Sequence, residues 1–217
     1  MGYQSEASGH LARPSKRTPI IMGALCLAVL GAIALDTTVV RIGSEQDARQ
    51  QGFSPERFGA EKFPEIRSYV VEHAVDAKTL FDAATADKKA AGERYGVMAG
   101  IAPVMPVKFR GVVGEGKSGT FYVAIDGMQD AKVRVQTGPA VNGTDLRDAT
   151  GTIAFGDFTN QIEYQNAGAG INNAMKADVL ADLDRDTLTG KTVEVTGVFT
   201  MMSAKNWLVT PVELSVK

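Results

Sequence analysis

A long apolar segment near the N-terminus is the first feature of the hydrophobic pattern. Residues 19–35 are 17 consecutive residues without a charge, three basic residues stand shortly before them, and Asp36 follows. A helix of this length covers about 26 Å, close to the roughly 30 Å of a bilayer hydrocarbon core. We predict a basic cytoplasmic tail at residues 1–18 and a transmembrane anchor or signal segment at residues 19–38.

Two outcomes fit this segment. Its basic start, apolar run and the small residues Ala32-Ile33-Ala34 match a cleavable secretory signal peptide. The length of the run favours retention as an uncleaved anchor. In both cases the positive flank holds the N-terminus inside, so the chain after Asp36 is predicted to lie outside the cytoplasm. The predicted topology is a single pass through the membrane with the C-terminal domain outside.

The next part, residues 39–100, reads as a short helical segment. Ser54 followed by proline is a typical helix start, since serine caps free amides and proline suits the first turn. We expect Pro64 to open a second helix and Asp76 to cap a third. Residues 100–106, which contain two prolines, are predicted to be a linker.

From Val107 onward the hydrophobic period changes to two, which indicates strands. Between the third and fourth strands, Ile171 and Met175 belong to a helical stripe. Three strands, a helix and two strands is the order of a small OB-type barrel, and a flat sandwich with too few strands is the competing fold. The predicted class is α+β: an N-terminal membrane helix, a short helical segment, then an OB-like five-stranded β-barrel with an inserted helix at residues 101–217. The predicted strands lie near residues 107–113, 121–125, 131–135, 193–199 and 210–216.

Composition narrows the function classes. Lysine and arginine number 23 against 25 acidic residues, so the net charge of −2 argues against nucleic acid as a partner. One cysteine and two histidines exclude a cysteine and histidine zinc cage and an intrachain disulfide framework. We therefore predict no metal and no cofactor.

Two motifs match their patterns but not their contexts. The run from Gly111 to Ser118 has the spacing of a phosphate-binding P-loop, yet an alternating strand follows where a helix is needed. We predict a hairpin turn at Gly114 to Gly119. The acidic triplet Asp182, Asp184 and Asp186 lacks the turn glycine and final glutamate of a calcium loop, so helix capping is the better interpretation.

The densest polar cluster lies between residues 146 and 175, interleaved with aromatic residues. Amides and carboxylates beside aromatic rings are typical of a sugar or polyol site, although the same residues also form capping and ion-pair networks. A third hypothesis treats Asp157 and Glu163 as the acid and base of a glycoside-cleaving enzyme. The candidate ligand-binding residues are Arg147, Asp157, Asn160, Gln161, Glu163 and Tyr164.

Three segments, residues 141–175, 188–200 and 207–216, together resemble the bacterial domain-of-unknown-function family 2291, the predicted periplasmic lipoproteins. The resemblance covers roughly residues 39–217. It implies an exported, membrane-attached protein, often encoded beside sugar ABC importers, without an established activity. Members of this family typically begin with a lipidated cysteine. Here Cys26 lies inside the apolar run, so a peptide anchor is expected to take the place of the lipid.

These observations lead to one functional expectation. We expect a membrane-anchored periplasmic protein that acts by binding or scaffolding as an accessory of a sugar ABC import system, and not as an enzyme. Its expected partners are the inner membrane, through residues 19–38, and components of the transporter.

Overall fold

The computed structural model describes residues 17–36 and 52–217, which belong to two compact units, residues 1–51 and residues 52–217. The first unit contains helix α1, Arg17–Asp36, in agreement with a helix at the apolar segment. Most of the predicted tail at residues 1–18, and residues 37–51, lie outside the described residues. Among the described helices, none meets the length and hydropathy required to cross a membrane.

Three helices open the second unit: α2, Pro55–His73; α3, Ala77–Ala86; and α4, Lys88–Tyr95. The two predicted caps are confirmed, because the Ser54 hydroxyl accepts a hydrogen bond from the Arg57 amide and the Asp76 carboxylate accepts one from the Thr79 amide. The prediction that Pro64 opens a helix is wrong. Proline is normally costly inside a helix, but α2 buries Phe63 and the following apolar turns, so tertiary packing keeps it continuous.

Five strands pair in a closed ring. In order around the ring, β3 pairs with β4, β4 with β5, β5 with β7, β7 with β6, and β6 again with β3. Only the pairing of β5 with β7 is parallel among these five. The described strands are β1, Val75–Asp76; β2, Val97–Ala99; β3, Ala102–Lys117; β4, Thr120–Ala124; β5, Lys132–Gln136; β6, Thr192–Thr200; and β7, Asn206–Val216.

Two helices lie between β5 and β6: α5, Asp145–Asp148, and α6, Gln161–Val179. Short 3-10 turns follow each of them, at Phe155–Asp157 and Arg185–Thr187. The predicted order of three strands, a helix and two strands is therefore confirmed, in a mixed α+β fold. Pro211 on β7 is paired with Gly197 on β6, and the register of the two strands shifts beside this pair, at a bulge of the kind that accommodates proline in a sheet.

The predicted linker at residues 100–106 is wrong. Gly100, with a φ of 68°, forms the tip of a hairpin between β2 and β3, and β3 already begins at Ala102. Pro103 has no amide hydrogen to donate, but its carbonyl accepts a hydrogen bond from Met201 at 2.9 Å. The carbonyl of this proline is thus used in the sheet, although its nitrogen cannot donate.

Two hydrophobic cores hold the second unit together. One joins the ring to α3 and α4 and includes the fully buried rings of Phe199 and Trp207, stacked with centroids 4.5 Å apart. The other joins α2 and α6 to the sheet through Ile66, Ile171 and Val198. Since both cores combine helical and sheet residues, the helices of residues 55–95 and the strands form one unit.

Candidate functional site

Arg147 is the centre of the predicted polar cluster. Helix α5 places its side chain in the interior, where only 7% of the residue is exposed. Its guanidinium lies 3.7 Å from the centroid of the Tyr164 ring, a cation–π contact, and donates to the Tyr164 carbonyl at 3.3 Å. Its Nε and Nη2 donate to the two carboxylate oxygens of Asp148, at 2.8 and 3.1 Å. This two-pronged ion pair satisfies the charge within the protein.

A small cavity of about 250 Å³ lies against this pair. We call it the Arg147 cavity. It has polar groups on one side and backbone and apolar side chains from the β2–β3 hairpin on another. Because that hairpin was predicted as a linker, its contribution was missing from the predicted site. The lining residues are Met98, Ala99, Gly100, Arg147, Asp148, Gly151, Ile153 and Tyr164.

The other predicted site residues hold the backbone around the start of α6. Asn160 caps this helix by accepting from the Glu163 amide at 3.0 Å, and Glu163 in turn accepts from the Thr159 amide at 3.0 Å. Asp157 accepts from the Ala154 amide at 2.8 Å. Gln161 is exposed in the first turn. The predicted cluster is thus split, with only Arg147 and Tyr164 on the cavity and the remaining members at helix ends.

The acid and base hypothesis concerned Asp157 and Glu163. Each carboxylate is committed to a backbone amide, and neither lines the Arg147 cavity. Arg147 pairs with neither of them, since its partner is Asp148. In the acidic triplet, Asp184 caps the last 3-10 turn by accepting from the Asp186 amide, which confirms the capping interpretation.

A second and larger concavity, of about 610 Å³, lies on the outer face of the ring. We call it the Tyr122 groove. Tyr122 on β4 is paired with Arg134 on β5, which is paired with Leu208 on β7, so three side chains form a row across three strands. Their neighbours along the strands are buried in the core, and alternation therefore turns this row outward. The lining residues are Glu115, Gly116, Lys117, Ser118, Thr120, Tyr122, Arg134 and Leu208.

The polar groups of this groove are largely free. The Tyr122 residue is 49% exposed, and Arg134 forms one side-chain hydrogen bond, to Asn206 Oδ1 at 2.9 Å. Within the described residues, no salt bridge involves Lys117 or Glu115. The groove therefore presents an aromatic face, two cations, an acid and hydroxyls to solvent.

A tight hairpin forms one end of the groove. Ser118 and Gly119 have φ values of 53° and 75°, as a two-residue turn between twisted strands requires. A Cβ at Gly119 would lie 1.6 Å from the Gly138 carbonyl oxygen, so only glycine fits. This confirms the predicted hairpin at Gly114 to Gly119, where the P-loop pattern ends.

A third concavity, of about 660 Å³, is lined by charges of both signs. Arg67 crosses it with salt bridges to Asp178 at 2.8 Å and Glu213 at 3.2 Å. Its cation is therefore used to join α2, α6 and β7. In residues 17–36 and 52–217, no three histidine, cysteine or acidic side chains converge on a metal-sized site.

The closed ring, with its parallel third and fifth strands and its helix before the fourth, defines an OB-type fold. The structure is similar to the crystal structure of an OB-fold protein from Thermotoga maritima, with a TM-score of 0.62, 16% sequence identity, and coverage of 76% of this chain and 99% of that one. At this identity the likeness concerns the fold alone. The chain belongs to the family described as predicted periplasmic lipoprotein (DUF2291), whose model matches residues 24–215. No curated protein matches it.

Proposed function

We propose that this protein is a membrane-anchored periplasmic binding module, an accessory of a sugar ABC import system, that holds a saccharide in the Tyr122 groove without transforming it. Membership of a family of predicted periplasmic lipoproteins supports the compartment. The transport role is carried over from the family resemblance, which implies an association with sugar importers. The observation that carries the ligand class is the row of Tyr122, Arg134 and Leu208 on the outer face.

The anchor in this proposal is α1. Its side chains at residues 21–23 and 25–33 are exposed in the structure, and they are almost all apolar. Leu27, for example, is 72% exposed. An apolar surface of this kind is stabilised by lipid, and the basic residues before it favour an orientation with the N-terminus inside.

The chemistry of the groove suits a carbohydrate. A pyranose ring has an apolar face that packs on an aromatic side chain, and its hydroxyls take hydrogen bonds from charged and polar groups at the edges. Tyr122 supplies the ring, while Arg134, Lys117 and Thr120 supply polar groups on either side. A volume of about 610 Å³ lies within the ~300–1,000 Å³ that small-molecule sites occupy. In other OB folds the corresponding strands and the adjoining loops bind oligosaccharides.

Calorimetric titration of the full chain tests this proposal. We would reconstitute it in lipid nanodiscs, because many detergents are themselves glycosides, and titrate neutral and acidic mono- and oligosaccharides. At least one saccharide is expected to bind saturably, and Tyr122→Ala is expected to weaken binding by about tenfold or more. Gln161→Ala is the matched control, because Gln161 is an exposed member of the predicted cluster outside the groove.

Three outcomes separate the alternatives. Binding lost in Gln161→Ala and kept in Tyr122→Ala would move the site to the start of α6. Heat without saturation for every saccharide would leave scaffolding as the remaining role. Release of reducing sugar from a glycoside that depends on Glu163 would contradict the proposal in favour of an enzyme.

The topology is tested separately. Protease added to spheroplasts is expected to digest the chain after Asp36, and mass spectrometry is expected to find the N-terminus intact. Protection of residues 52–217 would contradict the orientation. Cleavage before a lipid-modified Cys26 would replace the peptide anchor with a lipid anchor.

A further inference from the structure

Three large apolar side chains are exposed around the mouth of the Arg147 cavity. Met98 is 64% exposed, Ile101 88% and Phe155 54%. Met98 lines the cavity itself, and Ile101 follows Gly100, which also lines it. The Phe155 ring packs edge to face on Tyr164, another lining residue, with centroids 5.6 Å apart. We name Met98, Ile101 and Phe155 the apolar rim.

The fold does not require these side chains. Ile101 stands at the hairpin tip, next to the left-handed Gly100, where small or polar residues are usual. Single exposed apolar residues are common, but several around one surface feature mark an interaction site. The apolar rim is therefore a contact surface whose partner is apolar.

The place where the chain enters this unit indicates the partner. The unit begins at Gly52, and the Phe53 ring packs on Phe158 at 5.3 Å. Phe158 in turn packs on Tyr164, at 5.4 Å, on the wall of the same cavity. The connection to the N-terminal part is thus made at the side of the molecule that carries the rim. Fifteen residues, 37–51, separate α1 from Gly52, so Gly52 is the part of this unit nearest in sequence to α1.

We infer that the apolar rim contacts the periplasmic surface of the lipid bilayer, with Ile101 and Phe155 entering the boundary between headgroups and acyl chains. Side chains of this kind enter a membrane interface by about 5–10 Å, which is the reach of a hairpin tip. A lipid surface is the apolar phase nearest to a protein held by a short N-terminal connection. This inference rests on membrane attachment and not on saccharide binding, so either can fail without the other.

Tryptophan fluorescence tests the contact. The single native tryptophan, Trp207, is fully buried and gives a low background for quenching. Ile101→Trp in the full chain, reconstituted in vesicles that contain brominated phospholipid, is expected to be quenched by at least about twofold and to emit at shorter wavelength. Val112→Trp is the matched control, because Val112 is 48% exposed and lies on β3, eleven residues after Ile101 in the chain. Its emission is expected to stay unquenched.

Each result decides the inference. If the chain floats with the vesicles in a density gradient but Ile101→Trp and Val112→Trp are quenched equally, the lipid contact is contradicted and the membrane anchor is not. A chain that fails to float with the vesicles would contradict both the lipid contact and the membrane anchor. Protection of the Ile101→Trp fluorophore only after addition of a transporter would identify a protein partner and overturn the lipid contact. Phe155→Trp repeats the measurement at the second rim position.

Discussion

Arg147 and Arg134 show two different uses of a guanidinium group in one domain. Arg147 is buried, stacked on an aromatic ring, and bonded to a carboxylate and a carbonyl. Arg134 lies on the outer face of the ring, half-buried, with one side-chain hydrogen bond and an exposed tyrosine beside it. The first arginine has its donors occupied by the protein, whereas the second keeps donors for a ligand.

This difference changes how polar residues are to be interpreted. The cluster between residues 146 and 175 is the densest in the chain, but its members hold one another and the backbone in place. The Tyr122 groove draws its residues from the strands β3, β4, β5 and β7. Among the described residues, Arg134 is the one groove side chain with a side-chain hydrogen bond, to Asn206, and no groove residue forms a salt bridge. Capacity to bind depends on unoccupied donors and acceptors and not on polar density.

The largest expected effect is on stability. Arg147→Ala removes one partner of a buried ion pair and leaves the Asp148 carboxylate with little solvent, so the free energy of unfolding should fall by about 3 kcal/mol. Urea denaturation measures this. Saccharide binding, measured at a temperature where the variant is folded, should be unchanged.

Arg67→Ala is the control for this variant. Arg67 also forms salt bridges, to Asp178 and Glu213, but its side chain is 41% exposed. Exposed ion pairs contribute less than about 1 kcal/mol. Equal losses for the two arginines would contradict the structural role given to Arg147, and a loss of affinity without a loss of stability in Arg147→Ala would make it a binding residue.

The next effect is on affinity. Arg134→Ala removes a guanidinium that has free donors beside Tyr122, so saccharide affinity should fall by about tenfold, equivalent to about 1.4 kcal/mol. The melting temperature should change little, because the residue is at the surface. Arg134→Lys keeps the charge without the planar fork and should restore only part of the affinity. Unchanged calorimetric titrations for both variants would remove Arg134 from the site.

Much of the fold was predictable because periodicity reports burial directly. The alternation after Val107 and the stripe containing Ile171 identified the ring strands and the inserted helix. The predictions at Pro64 and around Pro103 were both wrong, and the two errors have one cause. Local rules assign prolines to helix starts and linkers, whereas packing across α2 and the hydrogen bond from the Met201 amide to the Pro103 carbonyl keep the helix and the strand intact.

The sites were less predictable. Proximity in sequence brought Arg147 and Tyr164 to attention, and the structure does place them in contact. Tyr122, Arg134 and Leu208 belong to strands whose register no local pattern specifies, so their row across the ring was invisible in the sequence. One signal was present in the sequence: Tyr122 is an aromatic residue at an outward position of an alternating strand, where the core does not need an aromatic side chain.

A smaller effect is expected at the start of α6. Asn160→Ala removes the side-chain oxygen that accepts from the Glu163 amide, so the free energy of unfolding should fall by about 1 kcal/mol. Asn160→Asp keeps an acceptor at the cap and should retain most of the stability. Thermal unfolding monitored by circular dichroism compares the two. A decrease in saccharide affinity in both variants would instead support the polar cluster as a ligand site.

The smallest effect concerns pH. Burial is the main cause that raises the pKa of the Asp145 carboxyl above its ordinary value of 3.8; a hydrogen bond from Thr200 opposes this, and the nearby Asp148 adds to it. The folded protein therefore holds a proton that the unfolded chain has already released, and stability contributed by Asp145 falls as pH rises from near 3.8 through the raised value. Asp145→Asn keeps an acceptor for the Thr200 hydroxyl without the charge, so its stability relative to the native protein should increase with pH across that interval. Urea denaturation at a series of pH values measures the difference. A difference in stability that stays constant with pH would show that Asp145 is solvated. The region around Arg147 would then be more open to water than the contrast between a buried Arg147 and a half-buried Arg134 assumes.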